Sequence, residues 1–178
     1  MKFSRDAPEL DTTDRAILDL LQENCKQPLA AIGEKVGLSA PAVVERIHKL
    51  EEAGVIRGYT AILDARQLGK DVTAFIGVST SDPGAIREVE SAVNRMEEVL
   101  ECHHVTGAHT LMIKVKTHDT QSLELLIEKI RELGGVVRTE TMIVLSTHTE
   151  RSRIALDERK GVPERGRRSG ARARRAVK

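Results

Sequence analysis

The spacing of apolar residues changes period near Val55, and that change decides what this chain can build. Before it, Ile17, Leu18 and Leu21, then Leu29, Ile32 and Val36, then Val43 or Val44 with Ile47 and Leu50 recur at helical intervals. After it, strand-like alternation runs over Val55–Ile62, Val72–Val78, Val99–Thr106, Thr110–Lys116 and Val136–Ser146. Two helix-period stretches interrupt those strands, one carrying Ile86, Val89, Val93 and Met96, the other Leu123, Leu126, Ile127 and Ile130. Three helices followed by βαββαβ define an α+β chain. The second part has the split-βαβ order of a ferredoxin-like domain.

Local signals set the element ends. Asp11-Thr12-Thr13-Asp14 supplies capping side chains for a helix from Thr12 to Asn24, which Gln27-Pro28 breaks. A short helix over Leu29–Val36 is followed by the tight turn Gly37-Leu38-Ser39. Ser39 is a natural N-cap, and Pro41 is tolerated in a first turn whose N–H groups lack intrahelical partners. The third helix runs to Ala53 and stops at Gly54. Later, Ser81-Asp82-Pro83 and Asp119-Thr120 start helices, Gly107 turns a hairpin and Leu133-Gly134-Gly135 ends the last helix. The expected organisation is a leader over residues 1–9, a winged helix-turn-helix domain over 10–63 and a linker over 64–71. A ferredoxin-like domain over 72–150 and a basic, disordered tail over 151–178 complete it.

With no Trp, one Tyr and two Phe, the core must be aliphatic, and few aromatic platforms exist for stacking single-stranded nucleic acid. The opening MKFSRDAPEL has no apolar stretch for a signal peptide, and no later run approaches membrane-spanning length. Cys25 and Cys102 are far apart in sequence and fit a reducing cytosol without a structural disulfide. A cytoplasmic, nucleoid-associated protein with no membrane partner is expected. The net charge of +1 conceals an asymmetry: from Arg159 onward, nine Lys or Arg face the single Glu164, which leaves about −7 on residues 1–158. DNA contact by such a chain must be concentrated in local patches.

Two helices joined by Val-Gly-Leu-Ser suit a major groove, where the second helix presents its N-terminal residues to base edges. The candidate DNA-contacting residues are Ser39, Ala40, Pro41, Ala42, Glu45, Arg46 and Lys49, with Arg57 and Tyr59 on a following strand acting as a short wing. Spacing alone fits a plain three-helix bundle equally well, because short helix pairs are common, and the eight acids against six bases over residues 10–60 do nothing to exclude it.

The runs LDTTDRAILDLLQEN and LAAIGEKVGLSAPAVVERIHKLEEAGVIRGYTAILD resemble the DNA-binding domain of the Lrp/AsnC family, the feast/famine regulators. The similarity extends over roughly residues 10–150, in order and at matching spacing. It implies a double-stranded-DNA-binding transcription regulator that forms homodimers and higher homo-oligomers and responds to an amino acid or related metabolite. A sheet with helices on one face leaves the other bare, and Phe75, Leu111, Ile113 and Val144 are expected there, to be covered by a second subunit.

The resemblance places an effector near the turn Val105-Thr106-Gly107-Ala108-His109-Thr110, so Val105, Gly107, Ala108, His109 and Thr110 are the candidate effector residues. Amino-acid binders of the family commonly carry a carboxylate just after this glycine, and here Ala108, His109 and Thr110 supply none. A bound amino acid would lose a charge-assisted hydrogen bond of about 1.5–3 kcal/mol. A different metabolite, weak binding and no ligand all stay open at this point.

Adjacent His103 and His104 point to opposite faces of a strand, and no Cys/His spacing matches a zinc site, so no metal or other cofactor is expected. No nucleophile–base pair or phosphate-binding glycine loop suggests an enzyme. The alternative function is an architectural, nucleoid-type DNA binder without effector response.

Overall fold

The computed structural model describes residues 8–156, which form two compact units: residues 8–59 joined by 152–156, and Thr60–Arg151. The leader up to Ala7 and the tail from Asp157 lie outside the described residues. No helix among the described residues is long and apolar enough to cross a membrane.

The first unit contains α1 (Thr12–Glu23), α2 (Leu29–Val36) and α3 (Ala40–Glu52). Asp11 and Asp14 form a reciprocal capping box at the start of α1. Gly37 closes α2 at φ 71°, a left-handed conformation that favours glycine, and Ser39 caps α3 by accepting from the Ala42 N–H. Ile17, Ile32, Val43 and Ile47 form the core, with Leu20, Leu21, Val36, Leu38 and Ile56 packed around it. Val43 is therefore the inward valine, and Val44 stays 45% exposed.

The expected strand over 55–62 does not form a ladder; no strand is present there. Alternating residues favour extended backbone, but a ladder also needs a partner, and none pairs with this segment among the described residues. Ile56 turns into the helical core, whereas Ile62 and Leu63 remain largely exposed. The helix-turn-helix thus stands without a wing strand. The connector that follows holds one short 3-10 turn, Arg66–Leu68.

The second unit is an antiparallel sheet of β1 (Val72–Thr80), β2 (Val99–His104), β3 (Leu111–Thr117) and β4 (Val136–Ile143), in the order β2-β3-β1-β4. Helices α4 (Pro83–Val93) and α5 (Thr120–Arg131) complete the βαββαβ arrangement. Asp82 and Asp119 cap these helices through their first-turn N–H groups. Ala74, Ile76 and Val78 of β1 and Leu111, Ile113 and Val115 of β3 pack against Val89 and Val93 of α4 and Leu123, Leu126 and Ile130 of α5.

One expectation about the sheet is overturned here. Leu111 and Ile113 lie on the helix-covered face and are fully buried. The register pairs Ile76 with Ile113 and Phe75 with Lys114, and directly paired residues share a face. Phe75 therefore stands with Met112, Lys114, Glu140 and Met142 on the side without helices. Lys114 is held there by Glu101 at 3.1 Å and Glu150 at 2.9 Å. Both carboxyls sit below the usual range, Glu101 chiefly because His103 and then Lys114 donate to it, Glu150 chiefly because of Lys114.

Candidate nucleic-acid interface and effector turn

On α3, Val43, Ile47 and Leu50 define the inward side. The opposite side of a helix with 3.6 residues per turn carries Pro41, Val44, Glu45 and His48, and all four are exposed. Of the sequence candidates, Ser39, Pro41, Glu45 and Lys49 are exposed, while Ala40 and Ala42 are half-buried. Lys49 Nζ lies 2.7 Å from Glu45 Oε1, one turn earlier. Val44 and His48 were missed by sequence reasoning, although the helical phase of Val43, Ile47 and Leu50 points both of them outward.

Arg46 is differently occupied. Its Nη1 lies 2.7 Å from Asp11 Oδ2 and 2.7 Å from Asp14 Oδ1, so one guanidinium joins α3 to the capping box of α1. The Asp14 N–H and then the Arg46 guanidinium hold the Asp11 carboxyl below its ordinary value of 3.8. Arg46 thus braces the recognition helix. Its loss is expected to destabilise the helical unit by about 1–2 kcal/mol, because screened pairs give up to ~1 kcal/mol each and a denaturation curve of Arg46→Ala reads the sum. Asp11 contributes stability that is present above pH 3.8 and is lost as pH falls through its lowered folded value. In Arg46→Ala that acid sensitivity shrinks without vanishing, since the Asp14 N–H remains.

After α3, Arg57 is exposed, and the Tyr59 hydroxyl donates to Glu51 Oε1 at 2.9 Å. Burial, and then this carboxylate, push the Tyr59 hydroxyl up to about 12, so it is a neutral donor at physiological pH.

The turn after β2 folds onto the end of β1. Val105 N–H donates to Thr110 O, Thr110 N–H donates to Val78 O, and Ser79 Oγ donates to Ala108 O. The His109 ring lies over Gly77, where a Cβ would come within 2.5 Å of it, so the absence of a side chain at residue 77 admits the imidazole. His109 Nδ1 is buried without a hydrogen-bond partner, and Nε2 lies 3.6 Å from Glu140 Oε2. Glu140 is the residue sequence reasoning missed: the β1–β4 register pairs it with Gly77 and carries its carboxylate to a turn that has none of its own.

Among the described residues no group of three or more His, Cys, Asp or Glu gathers as a metal site. His103 instead faces Glu101 at 3.1 Å, and His118 Nδ1 lies 2.7 Å from the Gly69 carbonyl. Cys25 and Cys102 are both free thiols, and burial raises the pKa of Cys102.

Comparison with known proteins matches both halves of the chain. Residues 10–51 match the AsnC-type helix-turn-helix domain, and residues 73–154 match the Lrp/AsnC ligand binding domain. The chain is 37% identical over 147 residues to an HTH-type transcriptional regulator of Pyrococcus abyssi, covering 83% of this chain and 97% of that protein. It is 32% identical over 158 residues to the leucine-responsive regulatory protein of Klebsiella pneumoniae, covering 87% and 96%. Among solved structures it is similar to a Neisseria meningitidis transcriptional regulator in complex with L-Met, with a TM-score of 0.79, 28% identity and coverage of 84% and 98%. A feast or famine regulatory protein of M. tuberculosis complexed with L-methionine gives 0.77, 29%, 82% and 99%. A capped helix-turn-helix followed by a βαββαβ sheet, each matching its own family domain in the same order, leaves one conclusion: the chain belongs to the Lrp/AsnC family of DNA-binding transcription regulators.

Proposed function

We propose that the protein reads a defined double-stranded DNA site through Ser39, Pro41, Val44, Glu45 and His48, with Lys49, Arg57 and Tyr59 positioned for phosphates. It acts in the cytoplasm at the nucleoid. The observation that carries this reading is the outward face of α3, where short side chains at the capped N-terminus leave room for base edges and Val44 offers an apolar contact for a thymine methyl group. The helix-free face of the sheet, with Phe75, Met112 and Met142, supports a homodimer and assembly into larger oligomers.

The effector is an amino acid or a close analogue, bound at the turn formed by Val105, Gly107, Ala108, His109 and Thr110. Glu140 supplies the carboxylate that pairs with its ammonium group. Two supports are the nearness of Glu140 to His109 and the L-methionine held by two structural relatives. Residues 108–110 carry no carboxylate, and Glu140 on β4, 3.6 Å from His109, offers one in their place.

Titrating L-amino acids into a complex of the full chain with the DNA upstream of its own coding sequence tests this reading. A shift in DNA affinity is expected with at least one amino acid. Glu140→Gln is expected to need roughly 10-fold or more of the same amino acid, the equivalent of a lost charge-assisted hydrogen bond. An unchanged dose response in Glu140→Gln removes Glu140 from the site.

A further inference from the structure

The connector before β1 and the segment after β4 have no part in the regulatory reading, yet they wall a cleft at one end of the sheet. Its volume is about 360 Å³, within the range of small-molecule sites, and all its lining residues belong to the second unit. The floor is the helix-free face at the start of β1, where Thr73 pairs with Lys116 of β3 across the ladder. One wall is the turn that carries Arg66 and Lys70, and the other is the stretch that ends at Glu150. Thr73 and Ser79 lie near opposite ends of β1, about 20 Å apart at the rise of a strand. The cleft is therefore separate from the effector turn, whose Ala108 carbonyl accepts from Ser79.

Both walls are pinned. Lys70 N–H donates to the Ala65 carbonyl at 2.9 Å, which closes the connector turn, and His118 Nδ1 lies 2.7 Å from the Gly69 carbonyl. Val144 N–H donates to the Thr73 carbonyl at 2.9 Å, and Glu150 reaches back to Lys114 at 2.9 Å.

The cations of the cleft are poorly matched by its acids. Among the described residues, the Arg66 guanidinium and the half-buried Lys70 ammonium have no ion-pair partner. Lys116, whose side chain is 21% exposed, has Glu150 at 3.9 Å, but that carboxylate lies closer to Lys114. Asp64 accepts from the Arg66 backbone N–H at 2.9 Å, and exposed Asp71 pairs with no cation among the described residues. Three cations thus converge on one concavity with their donors largely unspent, beside the hydroxyls of Thr73 and Thr147. A half-buried cation without a counter-charge costs desolvation free energy that a bound anion offsets. A planar guanidinium fork, two ammonium point charges and two hydroxyls together suit an anion with three terminal oxygens better than a two-oxygen carboxylate.

We propose that this cleft is a second small-molecule site, for a phosphorylated metabolite whose phosphate group is held by Arg66, Lys70 and Lys116. Leu63 and Val144 offer apolar surface to the organic body of such a ligand. The proposal goes beyond the DNA-binding reading and does not depend on it.

The test is isothermal titration calorimetry of the full chain with inorganic pyrophosphate and, separately, with succinate, at constant ionic strength. Four proteins are titrated: the unsubstituted chain, Arg66→Gln, Lys70→Gln and Lys129→Gln. The turn over Arg66–Leu68 buries none of its residues, so both cleft variants are expected to fold, which a melting curve checks. Lys129 is exposed on α5, on the other side of the sheet, so its substitution removes the same charge away from the cleft. The nine Lys or Arg from Arg159 onward are common to all four proteins, so any attraction they exert cancels. Pyrophosphate is expected to fill one saturable site per chain and to bind more tightly than succinate. Arg66→Gln and Lys70→Gln are each expected to weaken it roughly 10-fold or more, the loss of a charge-assisted hydrogen bond. Lys129→Gln is expected to stay within about 2-fold of the unsubstituted chain, as befits a screened distant charge. Equal weakening by all three substitutions would reduce the effect to general charge and overturn the proposal. Tighter binding of succinate, unchanged affinity in both cleft variants, or no saturable heat with pyrophosphate would overturn it as well.

Discussion

Val44→Glu is expected to lose roughly 10- to 100-fold in affinity for the preferred duplex, the range that one well-placed base contact confers. Its thermal unfolding should be unchanged. Val44 is 45% exposed on the side of α3 away from Val43, Ile47 and Leu50, so no core contact is removed. Glutamate is also the better helix former. The substitution places a carboxylate where the account puts a groove floor flanked by phosphates, which adds repulsion to the lost apolar contact. Anisotropy with the selected duplex and a melting curve on the same preparation separate the two effects. Wild-type affinity in Val44→Glu would move the reading face elsewhere on the unit.

Ile113→Ala is expected to cost about 3–4 kcal/mol, because it removes a fully buried side chain at the centre of the sheet and leaves a cavity. Ile113 is flanked across the ladder by Ile76 and Cys102 and sits in the core beneath α4 and α5. Phe75 is its informative control, since it stands on the face without helices. Phe75→Glu is expected to shift the assembly toward monomer in sedimentation while leaving the isolated unit's melting little changed. The reverse pattern, dissociation from Ile113→Ala and unfolding from Phe75→Glu, would mean that the two faces have been exchanged.

That contrast shows where the amino-acid sequence was informative. Helix ends were legible because the groups that make them are adjacent in sequence: Asp11, Ser39, Asp82 and Asp119 each bond N–H groups two or three residues on. Strand order was legible from the succession of periods. The face assignment of β3 was not, because alternation states which residues lie together but only the Ile76–Ile113 register states on which side. Extended segment 55–62 failed as a strand for a related reason, having the right alternation and no partner.

Site residues divide along the same line. The outward phase of Val44 and His48 follows from three buried neighbours on one helix and could have been read without coordinates. The ion pairs of Arg46 could not: its partners Asp11 and Asp14 are 35 and 32 residues away, and no spacing within α3 announces a bridge to the capping box of α1. Glu140 reaches His109 only through the β1–β4 pairing, which makes the turn at Gly107 look uncharged in sequence.

The central claim is tested most directly by a mobility-shift titration of the full chain on the DNA upstream of its own coding sequence, against random DNA of equal length at physiological salt. Specific reading by α3 predicts a preference of at least ~10³-fold for one defined duplex, the lower bound for a specific DNA reader. Equal affinity for both DNAs would contradict it and leave an architectural binder in its place.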